Sequence, residues 1–300
     1  MVRLSLIITT YNRAEQLKTA LLSVCAQVAE ASDWECLVVN NNSVDNTDLV
    51  VEQIIDENKH LNIRLLHEYK QGLSHARNCG VADACGEIII FVDDDESFVD
   101  TFISSYIEFF DRHPEVSVAG GGYEPRYEGG KPSWISPIVE LPIAYPLDLG
   151  AEDRQFPRGK IPGGGNMALR RRVITQPLFN TELGRCGEQL FGGEEVELLN
   201  RLRAAGEPIW WVAGAKMYHM IPRTRLEMSY LTKLWLSIGV SQRRRAMIDG
   251  RISTLYLREA AKWLVTIALA LLYMLSFRAS KGRYLMLMRL YISRGLRGMR

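Results

Sequence analysis

Short apolar runs alternate with longer amphipathic stretches through the first hundred residues, and this alternation constrains the fold more than any other feature. The apolar runs are Leu4–Ile8, Glu35–Val39, Ile63–Glu68 and Glu87–Val92. Between them, residues 14–28 and 45–58 place apolar side chains three and four positions apart, which is typical of helices packed on a sheet. Strands separated by such helices form βαβ units, so the sequence predicts an α/β fold with a parallel sheet.

Three of these predicted strands are followed by polar segments of unusual composition. They read Thr-Thr-Tyr-Asn-Arg (9–13), Asn-Asn-Asn-Ser (40–43) and Asp-Asp-Asp-Glu (93–96). Open α/β sheets bind ligands at the carboxyl ends of their strands, so we predict that the three segments converge on one crevice. Residues 120–165 are rich in Gly, Pro and Trp, and we expect them to form irregular loops around that crevice.

The acidic segment indicates a metal site. Asp93, Asp94 and Asp95 follow a strongly apolar run, and three adjacent carboxylates repel one another unless a cation or a ligand balances them. Mg²⁺ or Mn²⁺ takes oxygen ligands, leaves positions open for phosphate oxygens and neutralises charge on a departing diphosphate. A solvated acidic turn, or a helix cap at Asp95 or Ser97, is the alternative interpretation.

Five motifs in order give the sequence a specific resemblance. They are Leu-Ile-Ile-Thr-Thr-Tyr-Asn-Arg (6–13), Val-Val-Asn-Asn-Asn-Ser-Val-Asp-Asn-Thr (38–47), Gly-Leu-Ser-His-Ala-Arg-Asn (72–78), Asp-Asp-Asp (93–95) and Gly-Gly-Glu-Glu-Val-Glu-Leu (192–198). Together they resemble family 2 glycosyltransferases of the GT-A fold over roughly residues 3–225. The resemblance implies a mixed, Rossmann-like α/β sheet and an inverting enzyme that uses a nucleotide-sugar and a divalent cation.

The resemblance implies a donor site at the strand ends. The matching positions are Thr9, Tyr11, Arg13, Asn40, Asn41, Arg77, Asn78, Asp93, Asp94, Gly164 and Asn166. Thr9 and Tyr11 would flank the nucleobase, where the tyrosine ring offers a stacking face, and Arg77 would fork onto phosphate oxygens. For Tyr11 the alternative is a buried aromatic at a strand end, and for Arg77 a surface ion pair.

Two parts of the implied donor site need comment: the position of Asn40 in the second motif, and the glycine run at 163–165. The second motif departs from the family at Asn40, where an Asp usually accepts a hydrogen bond from the base. An amide both donates and accepts, so a UDP- or dTDP-linked donor stays favoured. The run Gly163-Gly164-Gly165 resembles a loop near the donor sugar where backbone amides approach the ligand, although a plain flexible turn would look the same.

The resemblance also assigns metal ligands and a base. Asp95 matches the main metal ligand, Asp93 the position that reaches ribose and metal, and His219 a late histidine that completes the metal site in some relatives. Glu195 matches the base that takes the proton of the acceptor hydroxyl, with Glu194 as its rival. The alternatives are a structural histidine and two acids that merely favour the N-terminus of a helix.

The charge distribution changes near residue 225. The net charge is only +1, but residues 226–300 contain 14 Lys/Arg and 3 Asp/Glu. Within them, residues 263–277 carry no charge, and this run is shorter than the ~20 residues that cross a bilayer. We therefore predict a catalytic domain at 1–225 and a helical, basic region at 226–300 that contacts the cytoplasmic face of the cell membrane peripherally. A helix packed on the catalytic domain, a buried hairpin or a dimer interface is the alternative.

We predict a glycosyltransferase that moves a sugar onto a saccharide or a lipid-linked acceptor. The alternatives are a nucleotidyltransferase or sugar-nucleotide hydrolase, which would use paired carboxylates and a metal, and a non-catalytic scaffold on a decayed transferase fold. The five cysteines stand singly, so neither a disulfide framework nor a zinc site is expected. No nucleic-acid partner is expected, because lipid explains the apolar run of the basic region better. Homo-oligomerisation stays open.

Overall fold

The computed structural model describes residues 2–187 and 190–298. The chain folds into two compact units. The first comprises Met1–Glu124, Leu147–Glu182 and Glu194–Met220, and the second comprises Pro125–Pro146, Leu183–Gly193 and Ile221–Arg300. The second unit therefore combines the C-terminal region with two shorter segments from earlier in the chain.

The alternation of strands and helices predicted for the first hundred residues is confirmed. The elements are β1 (Leu4–Thr10), α1 (Ala14–Cys25), β2 (Trp34–Asn40), α2 (Thr47–Glu57), β3 (Ile63–His67), α3 (Leu73–Asp83) and β4 (Ile88–Asp93). The four strands pair in parallel in the order β3-β2-β1-β4. Every residue of β1 and β2 is buried, as expected of the centre of a parallel sheet with both faces covered.

The second half of the sheet is antiparallel. Its elements, with the intervening helices, are β5 (Glu96–Phe98), α4 (Phe102–Arg112), β6 (Val118–Tyr127), α5 (Pro137–Ala144), β7 (Arg154–Gln155), β8 (Met167–Arg170), α6 (Glu194–Ala204) and β9 (Ile209–Ile221). Strand β8 pairs antiparallel with β4 and β6, and β9 pairs antiparallel with β5 and β7. The full order is β3-β2-β1-β4-β8-β6-β9-β5, so the sheet is mixed, as the resemblance implies.

The expectation of irregular loops over residues 120–165 is wrong where this range contains most of β6, helix α5 and strand β7. Residues 118–127 form strand β6, although three consecutive glycines lie in it. A Cβ on Gly120 would collide with Pro162, and one on Gly121 would collide with the carbonyl oxygen of Ala215. These glycines therefore admit neighbouring chain segments into a packed sheet and do not mark turns.

Three long helices dominate the second unit. They are α7 (Met228–Ile248), α8 (Ile252–Leu275) and α9 (Ala279–Leu296), which confirms the predicted helical extension. Leu231 and Trp235 of α7 are buried in one core with Leu285 and Ile292 of α9. The apolar side of α7, which the sequence could equally assign to lipid, is therefore covered by protein. Among the described residues, no helix has both the length and the apolarity needed to cross a membrane.

Candidate active site

The three polar segments predicted to converge do so at the carboxyl ends of β1, β2 and β4. In the strand register Thr9 is opposite both Val39 and Asp93, and Thr10 is opposite Asn40. Two hydrogen bonds also join the first segment to the second. The backbone N–H of Asn12 donates to Ser43 Oγ at 2.9 Å, and the side-chain oxygen Oδ1 of Asn12 accepts from the backbone N–H of Val44 at 2.7 Å. The predicted convergence of these segments at one edge of the sheet is therefore confirmed.

An acidic cluster lies where β4 ends and β5 begins. Asp93, Asp95 and Glu96 bring carboxylate oxygens within 4.8 Å of one another. Burial and the charges of Asp93 and Asp95 raise the pKa of Glu96 well above its usual range. A side chain at Gly165 would collide with the Glu96 carboxylate, so this glycine lets the loop cover it. Glu96 was not among the predicted site residues, although it directly follows three aspartates in the sequence.

Asp94 faces the first polar segment. Its carboxylate accepts hydrogen bonds from Thr10 Oγ1 at 2.9 Å and from Arg13 Nη1 at 3.0 Å. Arg13 Nη1 also contacts Asp95 Oδ2 at 3.1 Å. Burial raises the pKa of Asp94 to about 6, against the opposing charge of Arg13. The middle aspartate therefore fixes the acidic turn to β1, while its two neighbours belong to the cluster with Glu96.

Arg77 connects the acidic cluster to the start of α6. Its side chain is only 2% exposed, with Nη1 donating to Glu194 Oε1 at 2.9 Å and Nη2 donating to Asp93 Oδ1 at 2.9 Å. Nη2 also donates to the Gly164 carbonyl at 3.2 Å. The guanidinium lies 5.9 Å from the ring centre of Phe91 and 5.4 Å from that of Phe179. This buried cation holds two carboxylates at fixed positions.

Glu194 and Glu195 open helix α6 and differ in accessibility. Glu194 is buried, and its Oε2 has no hydrogen-bond partner among the described residues. Burial and the neighbouring charge of Glu195 raise the pKa of Glu194 to about 7, against the opposing charge of Arg77. Glu195 is partly exposed. A Cβ placed on Gly164 would lie 3.4 Å from Glu195 Cβ, so the glycine loop runs directly beside this acid.

Two of the predicted donor-binding asparagines, Asn40 and Asn41, bond to helix α2, the second polar segment and the loop before α3. Asn40 Nδ2 donates to Asp48 at 2.6 Å, and its Oδ1 accepts from the Ser43 amide at 2.8 Å. Asn41 Nδ2 donates to the carbonyl of Glu68, and its Oδ1 accepts from the Gly72 amide at 2.7 Å. Both side-chain amides are thus already paired within the protein.

The other two asparagines hold distant segments together. Asn78 Oδ1 accepts from the amides of Leu178 and Phe179, and its Nδ2 donates to the Phe179 carbonyl. Asn166 is fully buried, where its Oδ1 accepts from Tyr106 Oη at 2.6 Å and its Nδ2 donates to the Ala215 carbonyl at 3.0 Å. These contacts position the loops around the crevice.

The remaining predicted residues are Thr9 on β1, Tyr11 directly after β1, and His219 on β9. Thr9 is buried, and its Oγ1 has no hydrogen-bond partner among the described residues, while Tyr11 is partly exposed. His219 on β9 is directly opposite Glu96 on β5. Opposed residues of an antiparallel pair extend to the same face of the sheet, so His219 lies on the side of the acidic cluster.

A comparison of sequences identifies the family. The sequence model described as glycosyl transferase family 2 matches residues 5–176, which include the three polar segments, Arg77 and the acidic cluster. The chain belongs to glycosyl transferase family 2. The family 2 resemblance is thereby confirmed, while the two glutamates at the start of α6 lie beyond the matched segment.

Curated relatives of this family 2 chain act on lipid-linked saccharides according to their names. A GalNAc(5)-diNAcBac-PP-undecaprenol beta-1,3-glucosyltransferase of Campylobacter jejuni is 32% identical over 108 residues, which are 36% of this chain and 34% of that protein. A glucosyl-dolichyl phosphate glucuronosyltransferase of Haloferax volcanii is 22% identical over 252 residues, 81% of this chain and 77% of that one. The first match thus spans about a third of its relative.

The family 2 chain also shares its fold with a solved structure. This is the mannosyltransferase PcManGT from Pyrobaculum calidifontis in complex with GDP-Man and Mn²⁺, at a TM-score of 0.65 and 16% identity. The superposition covers 98% of this chain and 87% of that one. The GT-A fold is therefore the fold of this protein.

Proposed function

We propose that this protein transfers a sugar, with inversion, from a UDP- or dTDP-linked donor to a hydroxyl group of a saccharide or lipid-linked acceptor. One observation carries the proposal. The buried Arg77 forms hydrogen bonds both to Asp93 of the three-carboxylate cluster and to Glu194 at the start of α6. Family membership supports the reaction class, and the names of two relatives support a lipid-linked acceptor.

The oxygen atoms of the acidic cluster suit a divalent cation. Asp93, Asp95 and Glu96 offer oxygen atoms, which Mn²⁺ and Mg²⁺ prefer. Burial, together with the charges of Asp93 and Asp95, raises the pKa of Glu96. These three residues would hold the cation, with His219 as a further ligand. When bound, the cation neutralises the charge that develops on the leaving diphosphate.

Glu195 is the proposed base. Glu194 is buried and bonded to Arg77, whereas Glu195 is partly exposed beside Gly164, so an acceptor can reach Glu195. Its carboxylate takes the hydroxyl proton while the acceptor oxygen attacks the anomeric carbon, and the bond from that carbon to the diphosphate oxygen breaks. Glu194 and Arg77 act as positioning residues.

The other donor roles divide between contact and positioning. Thr9 and Tyr11 remain the proposed nucleobase neighbours, because a buried hydroxyl without a partner and a partly exposed ring border the crevice. We assign a positioning role to four asparagines, Asn40, Asn41, Asn78 and Asn166. In each of them both the side-chain oxygen and the side-chain nitrogen already form hydrogen bonds within the protein. Residues 1–225 are the proposed catalytic domain and 226–300 the proposed membrane-facing region.

The test combines binding and turnover. Calorimetric titration with UDP, dTDP and GDP, with and without Mn²⁺, should give metal-dependent binding of one nucleotide, and Asp95→Asn should abolish it. Release of nucleoside diphosphate from the matching sugar donor then measures turnover, with a synthetic lipid-diphosphate-linked hexosamine as acceptor. The NMR coupling of the product's anomeric proton reports inversion.

A glutamine variant of Glu195, with a matched control, tests whether Glu195 or Glu194 is the base. Glu195→Gln should bind nucleotide normally and lose about two to four orders of magnitude in kcat, which is the range for a general base. Glu197→Gln, on the same helix and paired with Arg201, is the control. Equal activity of Glu195→Gln and the control would transfer the base role to Glu194, and absence of nucleotide binding would support the scaffold alternative.

A further inference from the structure

Helix α8 carries its apolar side chains on the exposed side. Leu257, Leu264 and Leu275 are each more than 70% exposed, and Phe277 just beyond the helix is 99% exposed. Further exposed apolar side chains on the same helix are Val265, Ile267, Leu271, Leu272 and Met274. Large aliphatic groups concentrated in this way on one surface helix require an apolar partner.

The inner side of the same helix carries several buried polar groups. Glu259 is buried, accepting hydrogen bonds from Arg289 Nη1 at 3.2 Å and Ser293 Oγ at 2.7 Å. Trp263 Nε1 donates to Ser293 Oγ at 2.8 Å, and buried Thr266 lies beside Arg289. A water-exposed helix normally buries its apolar side and exposes its polar side. In α8, polar groups are buried beside Leu255, Leu269 and Tyr273 on the inner side, while large apolar side chains occupy the exposed side.

The width of the apolar face indicates what covers it. At 3.6 residues per turn, the exposed apolar positions between Leu257 and Leu275 extend over about half of the helix circumference. A single partner helix in a coiled coil covers only a narrow seam of two positions in every seven. An apolar medium that surrounds the helix on one side fits a face of this width better than a second copy of the chain.

The charges around the face are positive. From residue 250 to the C-terminus the sequence contains 10 Lys/Arg and a single acid, Glu259, whose carboxylate is buried against Arg289. Arg251, Arg258 and Arg278 are exposed on or beside α8. Two copies that met through this face would bring like charges together, whereas anionic headgroups would be attracted.

We propose that α8 binds in the plane of an anionic membrane surface, with its leucine-rich face in the lipid and the flanking arginines at the headgroups. A helix that lies in the membrane plane needs only one apolar face, and α8 has such a face. Lipid binding is a property separate from sugar transfer, so each can fail while the other holds.

The experiment is vesicle flotation of the full chain. The vesicles consist of phosphatidylcholine alone or of phosphatidylcholine mixed with phosphatidylglycerol. We expect binding to the mixed vesicles, weaker binding to phosphatidylcholine alone, and a decrease as ionic strength rises. Leu264→Gln/Leu271→Gln should lower the partition coefficient about tenfold or more, because both leucines lose their transfer into lipid.

A matched pair of exposed helix leucines serves as control. Leu22 in α1 and Leu49 in α2 are 57% and 68% exposed, and Leu22→Gln/Leu49→Gln should bind vesicles like the unchanged protein. Nucleotide binding by both double variants checks that the first unit is intact. The proposal is overturned if the α8 variant floats normally, or if light scattering shows that the unchanged protein is a dimer without lipid affinity that the variant dissociates.

Discussion

Arg77 is the residue through which separate parts of the chain meet in the site. It lies on α3, and its guanidinium bonds to Asp93 at the end of β4 and to Glu194 at the start of α6. A guanidinium presents several donors in a rigid plane, so one side chain can satisfy both carboxylates. The motif resemblance implies a phosphate contact for this arginine, whereas the structure shows it bonded to the protein's own acids.

Replacing Arg77 by lysine should therefore impair the reaction more than the charge alone would suggest. An ammonium group keeps the positive charge but cannot bridge two carboxylates in a plane, so both acids shift. We expect Arg77→Lys to lower kcat about a hundredfold, which is the order of the loss caused by a misplacement of 1 Å. Turnover and thermal unfolding measured together check this.

The control for that variant is Arg112→Lys. Arg112 pairs with Asp153, but its side chain is 60% exposed, so the exchange should leave both activity and stability unchanged. If Arg77→Lys proved as active as Arg112→Lys, Arg77 would have no positioning role.

Glu35 is a buried carboxylate outside the active site that links stability to pH. It accepts hydrogen bonds from Ser5 Oγ at 2.6 Å, the Cys85 amide at 2.6 Å and Arg64 Nη2 at 3.0 Å. Burial alone would raise the pKa of Glu35, but these three donors outweigh it and lower the pKa. A lowered folded-state pKa stabilises the protein above the unfolded-state value and loses that contribution as pH falls.

The prediction is that Glu35→Gln removes this part of the acid sensitivity. The free energy of unfolding should fall in the unchanged protein as pH drops below about 4, the ordinary pKa of glutamate, and should fall less steeply in the variant. Near neutral pH the variant should be less stable by about 1–3 kcal/mol, because buried donors lose a charged acceptor. Urea unfolding at several pH values measures both, and Asp56→Asn at an exposed position is the control.

At the level of elements, the contact between α7 and α9 depends on two glycines. A Cβ on Gly239 would collide with the carbonyl oxygen of Ile292, and one on Gly295 would collide with that of Leu236. The two helix backbones therefore approach more closely than side chains would permit. This close approach buries Trp235 and Leu285 in the core of the second unit.

Gly239→Ala should separate these helices and destabilise the second unit. Overpacking of this kind costs about 1–3 kcal/mol, despite the better helix propensity of alanine. Chemical denaturation followed by tryptophan fluorescence measures the change. Gly192→Ala is the matched control, because an added Cβ there meets no atom within 4 Å. Equal stability of the two variants would show that the helices are not in tight contact.

In the first unit, arginine side chains also donate hydrogen bonds to backbone carbonyls at or just beyond the C-terminal ends of two helices. Arg170 donates to the carbonyl of Phe110 near the end of α4, and Arg171 donates to the carbonyls of Ala84 and Gly86 beyond the end of α3. Carbonyls at helix C-termini lack partners within the helix, and cationic side chains are favourable there. Arg170 and Arg171 therefore satisfy backbone carbonyls at and beyond the ends of these helices.

For the whole molecule, cation and nucleotide should stabilise the native state together. The acidic cluster carries mutual repulsion that a bound cation offsets, and any ligand that binds only the folded state raises its stability. With the matching nucleoside diphosphate and Mn²⁺ at a hundred times the Kd, the gain should be about 2.7 kcal/mol. Differential scanning fluorimetry should show a higher Tm that excess chelator reverses.

Asp95→Asn should lose the Mn²⁺-dependent part of this shift, while Asp56→Asn should retain it. A Tm that rises equally in the Asp95 variant would place the cation elsewhere. Because the measurement needs no acceptor, it tests the metal site separately from sugar transfer.

The amino-acid sequence by itself determined the βα alternation, the positions of β1 to β4 and the meeting of three polar segments at one edge of the sheet. These follow from local periodicity and from the rule that parallel strands present their carboxyl ends together. The motif order likewise carried the family, because ordered short motifs are visible without knowing any contact.

Only the tertiary structure decided how the groups are paired. Glu96 joins the acidic cluster because only two residues separate the end of β4 from the start of β5, and Arg77 bonds to Glu194, 117 positions later in the chain. The apolar patterns of α7 and α8 are both compatible with lipid or core, yet one is covered by α9 and the other is exposed. Local sequence specifies which residues are apolar or charged, but partners distant in the chain determine which of them are buried.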